Sequence, residues 1–213
     1  MPRPRAFDER EVLARAREQF WATGYAGTRM DDIARATGLG KGSLYGAFGD
    51  KSALFHRVFG DWCTAVVEVA EGRLTGGPDA EAMERLSGYV RLMAENTACD
   101  TGRRGCLMAK GTAELAQQDP TVAGRSAETM TALLTLLRTE IAAAQRHGDI
   151  DGDADPERLA ALLLTVVRGI EAVGKAGLDP ETVRGVADTA LAVLPRPATR
   201  KAPATGHAPD REP

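Results

Sequence analysis

The sequence predicts an all-α protein: an N-terminal three-helix helix-turn-helix domain joined by a long helix to a C-terminal helical body, about nine helices in all. Three observations predict it. Ala and Leu recur at helical spacing, and no stretch alternates as a strand would. Aromatic residues make up only 5% of the chain. Asp119-Pro120, Asp155-Pro156 and Asp179-Pro180 each set a capping carboxylate before a proline in the first helical position, where its missing N–H is not needed.

A basic arm, residues 1–7, comes first and carries Arg3 and Arg5. A helix then starts near Asp8, with Leu13, Ala16 and Phe20 on one face, and Gly24 ends it. Thr28 is suited to cap the next helix, with Asp31 three residues on to favour its N-terminus; that helix runs to about Thr37. Gly38 breaks the chain, and a third short helix spans Lys41 to about Phe48. Gly49-Asp50 restarts it into a longer helix with Leu54, Val58 and Trp62 inward. Thr75 to Asp79 reads as a loop. Beyond it, helices are expected at about 79–97, 104–117, 120–147, 156–176 and 180–194. Residues 195–213 are Pro/Ala/Arg-rich without periodicity and read as a disordered tail.

Charge and cysteine usage narrow the function classes. The net charge is −3, but residues 1–60 carry ten Lys/Arg against seven Asp/Glu, a basic head on an acidic body. Such a head suits a polyanion. No apolar run approaches the ~18–20 residues of a membrane helix, and the charged N-terminus lacks the apolar stretch of a secretory signal. Cys63, Cys99 and Cys106 are odd in number and irregular in spacing, which suits a reducing cytoplasm better than a disulfide framework. The three cysteines and His56, His147 and His207 make no metal-ligand spacing, so neither metal nor cofactor is expected.

The segment from Met30 to Phe48 carries the functional signal. Met30, Ile33 and Ala34 share one helical face, and Leu44 and Phe48 share another. Ala34 is small where two helices must cross, Gly38 stands at the sharp turn, and Leu39 fills the corner. Spacing alone is equally met by a generic helical hairpin. Lys41, Ser43 and Tyr45, which leave the apolar face of the second helix, favour one that lies in a major groove.

Phe20-x-x-x-Gly24-Tyr25-x-x-Thr28, Ile33-Ala34-x-x-x-Gly38 and Lys41-Gly42-Ser43-Leu44-Tyr45-x-x-Phe48-x-x-Lys51-x-x-Leu54-Phe55 fall in one register over residues 7 to 60. This stretch resembles the DNA-binding domain of the tetracycline-repressor (TetR) family. The resemblance implies a DNA-binding domain over 8–60, its helix-turn-helix at about 28–48, and a ligand-binding and dimerisation domain over 61–194. It implies that Thr28 caps its helix and touches a phosphate. Lys41, Gly42 and Ser43 would open the recognition helix, Tyr45 would meet the DNA backbone, and Lys51 would clamp a phosphate. Gly46-Ala47 departs from the family, whose members often carry His or Tyr before the Phe; the arm at Arg3 and Arg5 is placed to compensate.

For the body, the resemblance implies a homodimer and a small-molecule inducer pocket, hence a repressor released from a palindromic operator. Leu159, Leu163, Val166, Ile170, Val183, Ala187 and Leu191 lie on apolar stripes that either pack into the chain's own core or meet a second subunit. Tyr89, Met93, Met108, Met130, Leu134 and Leu137 are candidate pocket liners, and the methionines would serve a core equally well. Gly105-Cys106-Leu107-Met108, Glu114-Leu115-Ala116 and Asp119-Pro120 are similar to a subgroup that includes N-ethylmaleimide-type repressors, which sense electrophiles through a cysteine here. Arg103, Arg104 and a helix N-terminus would then lower the Cys106 pKa, with Lys175 as an amine partner; the alternative is an inert, buried Cys106. The sequence holds no Walker loop, G-x-S-x-G, H-E-x-x-H or Cys/His cluster, so an enzyme is disfavoured. A helical interaction protein without DNA binding is disfavoured by the polar face of the third helix. Activation in place of repression stays open, since the sign depends on where the operator lies.

Overall fold

The computed structural model describes residues 7–197, so Arg3, Arg5 and the tail from residue 198 lie outside the described residues. The described residues form nine α-helices: α1 (Glu9–Gly27), α2 (Met30–Thr37), α3 (Lys41–Phe48), α4 (Lys51–Leu74), α5 (Ala82–Ala98), α6 (Leu107–Leu115), α7 (Pro120–His147), α8 (Pro156–Ala176) and α9 (Pro180–Ala192). The expected capping chemistry is present. Asp119, Asp155 and Asp179 each accept a hydrogen bond from a first-turn N–H, ahead of proline, and Asp50 accepts from Ala53 N to start α4. No described helix is long and apolar enough to cross a membrane, and no described His, Cys, Asp and Glu group could hold a metal ion.

Two local expectations are corrected. Gly24 does not end α1. It adopts a non-helical conformation (φ 77°, ψ 176°) that kinks the chain, and one more turn follows to Gly27. Thr28 does not cap α2. Arg29 takes that position, and the Asp32 carboxylate accepts from the Arg29 N–H at 3.1 Å. Thr28 is 1% exposed, and its hydroxyl donates to Gly24 O at 2.6 Å, closing the kink.

The chain packs around two apolar cores. One gathers Val12, Ala16 and Phe20 of α1, Met30 and Ile33 of α2, Leu44 and Phe48 of α3, and Leu54 to Cys63 of α4. Phe20 and Tyr25 both meet the edge or face of Phe55 at a centroid distance of 5.0 Å. The other lies between α5, α7, α8, α9 and the C-terminal half of α4. α4 therefore belongs to both, changing cores between Cys63 and Ala70. The first core does not follow the chain order, since Leu107, Met108 and Leu115 of α6 and Val122 of α7 complete it.

α6 reaches that core because it carries no side chain at Gly111. A Cβ built there would lie 2.6 Å from Phe59 Cε2 and 3.0 Å from Phe55 Cζ, two ring atoms held in the core. Gly111→Ala is expected to destabilise the fold by about 1–3 kcal/mol, the usual cost of overpacking, read as a lower denaturation midpoint. An unchanged midpoint would show that the rings have room to move.

Leu163, Ile170, Val183, Ala187 and Leu191 are buried in the second core, with Leu159 and Val166 packed against it. Leu163, Ile170, Val183, Ala187 and Leu191 of the stripe considered for a second subunit are thus consumed within the chain, while Leu159 and Val166 lie partly exposed at its edge. The opposite faces of α8 and α9 remain open. They expose Leu162 (44%), Val173 (38%), Val186 (36%) and Val193 (63%).

Outside the cores, Arg184 of α9 grips Glu95 of α5 with Nε and Nη2 at 2.6 and 2.9 Å. That fork, then the Cys99 thiol, holds the Glu95 carboxyl down from 4.5 to about 2. Because the folded value is depressed, its contribution to stability is present above pH ~4.5 and fades as pH falls toward 2. The pair is half exposed, so the stability change is small. In an NMR titration, Arg184→Met is expected to return the Glu95 midpoint toward the ordinary carboxylate range; an unmoved midpoint would exclude the fork as the cause.

Candidate nucleic-acid interface and ligand cavity

α2, the Gly38 turn and α3 form a helix-turn-helix. Gly38 is left-handed (φ 72°, ψ 8°) and takes the chain from the end of α2 into the turn. Arg15 of α1 donates to Ala36 O at 3.1 Å, satisfying a carbonyl in the last turn of α2. Leu39 is half-buried against the first core. α3 is anchored by the buried Leu44 and Phe48, with Ala47 partly packed beside them. Its other face is open, with Lys41, Gly42, Ser43, Tyr45 and Gly46 all exposed.

The two glycines have no structural duty inside the chain. A Cβ at Gly42 or Gly46 would meet nothing within 4 Å. Glycine in a helix costs up to ~1 kcal/mol relative to alanine, so bare backbone on this face has a use only if another surface comes close. Lys41 Nζ is 2.6 Å from Asp31 Oδ1, and this hydrogen bond raises the lysine pKa. The side chain is thereby held beside α2 as a cation.

Thr28 and Lys51 sit differently from what the resemblance implied. The Thr28 hydroxyl is buried and already engaged. Lys51 Nζ donates to Tyr25 O at 3.0 Å and Thr28 O at 3.1 Å, and lies 4.1 Å from the Tyr25 ring centroid. Both residues fasten the end of α1 to the start of α2 and so set the angle at which the helix-turn-helix stands.

A cavity of about 750 Å³ opens between α1, α4, α5, α8 and the loop of residues 99–106. Of the six expected liners, Tyr89 and Met93 border it. The others do not. Met108 is buried in the first core, Leu137 in the second, and Met130 and Leu134 pack against core residues. Met130, Leu134 and Leu137 belong to α7, which supplies no residue to the cavity wall, and Met108 belongs to α6.

Sequence reading missed Trp21, Trp62, Arg168 and Glu171 as cavity residues. For the last two a signal exists: both charges interrupt the apolar run of α8 from Leu162 to Ile170 or its end. The tryptophans carry no comparable signal. Phe20 and Trp21 are neighbours in α1, yet Phe20 is buried in the first core while Trp21 forms cavity wall. Trp21 meets Trp62 at a centroid distance of 4.7 Å and donates from Nε1 to Gly105 O at 2.6 Å. Arg104 covers its other side at 3.9 Å and reaches Glu18. α6 is tied to the same end of α1: Lys110 Nζ donates to Trp21 O, and Glu114 Oε2 accepts from Ala26 N at 2.9 Å.

Cys106 borders the cavity at the N-cap of α6. Its pKa is raised, not lowered as expected. Burial is the largest cause and Glu171 adds to it; Arg168, with Nη1 3.8 Å from the sulfur, and the first N–H groups of α6 do not outweigh them. Arg104 faces Trp21 and Arg103 lies against Gly177, so the two cations preceding the thiol are directed elsewhere. The Lys175 chain packs on Gly105 at the cavity edge.

The model for bacterial regulatory proteins of the tetR family matches residues 12–58. That for a tetracyclin repressor-like C-terminal domain matches residues 82–190. The HTH-type transcriptional repressor ComR of Escherichia coli K12 is 24% identical over 193 residues, 91% of each chain. A cysteine-substituted form of the TetR family transcriptional regulator CifR, solved on 26-base-pair double-strand operator DNA, superposes with a TM-score of 0.77 at 28% identity, over 91% of this chain and all of that one. The reduced form of E. coli NemR shares the fold, with a TM-score of 0.77 at 18% identity, over 89% of this chain and 98% of its own.

Proposed function

The chain belongs to the tetR family of bacterial regulatory proteins, and from that premise we propose that it is a homodimeric repressor that reads a palindromic operator with α3 and is released by a small-molecule inducer. One observation carries the reading: α3 is held by two buried residues and offers DNA a face of cation, hydroxyl and bare backbone. In this reading Lys41, Ser43 and Tyr45 contact DNA, while Gly42 and Gly46 admit the groove closely. Thr28 and Lys51 act by positioning. The DNA-binding domain is residues 8–60 with α6 packed beneath it, and residues 61–194 bind ligand and partner. The protein works in the cytoplasm and has no catalytic role.

The dimer is formed by the open faces of α8 and α9. Leu162, Val166, Gly169 and Val173 recur at helical spacing along α8, as Val186 of α9 and Val193 at its C-cap do. A Cβ at Gly169 would meet nothing, so a partner helix can approach there. A two-fold axis at this surface would set two α3 helices about one DNA turn, ~34–36 Å, apart.

The cavity is the inducer site in this scheme. Trp21 supports it, because a residue of the DNA-binding domain is itself cavity wall. A ligand that displaces Trp21 shifts α1 against α6 and biases the spacing of the reading helices. The raised Cys106 pKa supports a noncovalent inducer over one that reacts with a thiolate.

The test is a gel-shift titration of the protein against its own upstream DNA with nonspecific competitor. Sequence-specific binding that weakens with salt is expected. Binding no tighter than to random duplex would overturn the assignment.

A further inference from the structure

The cavity wall is unbalanced in one direction. Of its two acidic side chains, Asp100 is answered by hydrogen bonds and Glu171 by charge alone. Asp100 accepts from Gly105 N at 2.9 Å and lies near Arg104. Glu171 Oε2 stands 3.1 Å from Arg168 Nη1, an ion pair lacking hydrogen-bond alignment. What remains over is mostly positive or donating, against one orphaned acceptor among the described lining residues, Glu171 Oε2. Trp62 Nε1 and Arg168 Nε are buried N–H groups without an acceptor. Among the described residues, Arg103 and Lys175 carry no ion pair or side-chain hydrogen bond at the rim. Buried donors are rarely left orphaned, because each forfeits its bond to water.

We propose that the cavity binds an amphipathic organic anion, an aromatic body bearing a carboxylate, with Trp62 Nε1 and Arg168 Nε as the donors that recognise it. The proposal rests on reading the cavity as the inducer site. Trp21, Trp62, Val66, Tyr89 and Met93 supply flat and apolar surface for the body. The carboxylate supplies acceptors for the two orphaned donors, and its charge meets the rim cations. An organic cation would meet a wall where Arg103, Arg104, Arg168 and Lys175 outnumber Asp100 and Glu171, and Glu171 already stands beside Arg168. The volume, about 750 Å³, suits a drug-sized ligand.

The test uses three probes with one skeleton: naphthylacetate, naphthylethanol and naphthylethylammonium, titrated into the full-length protein by calorimetry. Naphthylacetate is expected to bind at least about tenfold tighter than the alcohol, the scale of a charge-assisted hydrogen bond, with the ammonium weakest. Trp62→Phe removes one donor and keeps an aromatic ring. Arg168→Lys removes the Nε donor and keeps a cation beside Glu171. Each is expected to reduce the preference for the carboxylate over the alcohol. Equal or tighter binding of the ammonium, no binding of naphthylacetate, or a preference unchanged in both folded variants would overturn the proposal. If either variant fails to fold, the wild-type ranking of the three probes decides alone. Gel shifts on the ligand-free protein separate this from the regulator reading. Operator binding without a carboxylate preference sinks only the anion site. A carboxylate preference without operator binding upholds the anion site and sinks the regulator.

Discussion

Replacing Lys41 and Tyr45 together by alanine is expected to lower specific operator affinity by at least about a hundredfold, since each lost base or backbone contact costs about 1–3 kcal/mol and a dimer loses each twice. Stability should hardly change. Both side chains are exposed, and α3 is anchored elsewhere, by Leu44 and Phe48. Lys41 does lose its contact with Asp31, but an exposed pair contributes little. Gly42→Ala sharpens the test. With nothing near its Cβ, alanine should leave the free protein as stable or more so, and should weaken operator binding if the groove seats against that backbone. Gel-shift affinities beside denaturation midpoints read both quantities. Specific binding that survives the double substitution would mean that α3 does not read the operator.

Leu162→Glu with Val186→Glu is expected to convert the dimer to a 22.6 kDa monomer by light scattering. Operator affinity should fall by roughly 10²–10⁴, because the second half-site is no longer held at high effective concentration. Both positions are exposed in the single chain, so carboxylates there stay in water and the fold persists. Buried across a two-fold axis, the same charges would face their own copies without partners. Leu163→Glu is the contrasting case, since Leu163 is fully buried in the second core and its substitution should unfold the body. A double variant that remains dimeric would move the interface away from α8 and α9.

The sequence by itself determined the helices and the turn. Asp-Pro pairs, Gly38 and the spacing of Ile33, Leu44 and Phe48 act over one or two helical turns, and local chemistry of that kind is legible without a partner. The exposed face of α3 was legible for the same reason: once Leu44 and Phe48 point inward, Lys41, Ser43 and Tyr45 must point out. Tertiary structure decided everything that depends on which helix meets which. Periodicity marks a face as apolar without saying what covers it, so the stripes of α8 and α9 read as well for a second subunit as for their own core. Trp21 and Phe20 are adjacent apolar residues, and only the seating of α6 and the 99–106 loop against α1 makes one cavity wall and the other core. The Cys106 thiol likewise depends on long-range placement. Charges next to it in sequence are turned away, while burial and Glu171, 65 residues on in the chain, set its protonation.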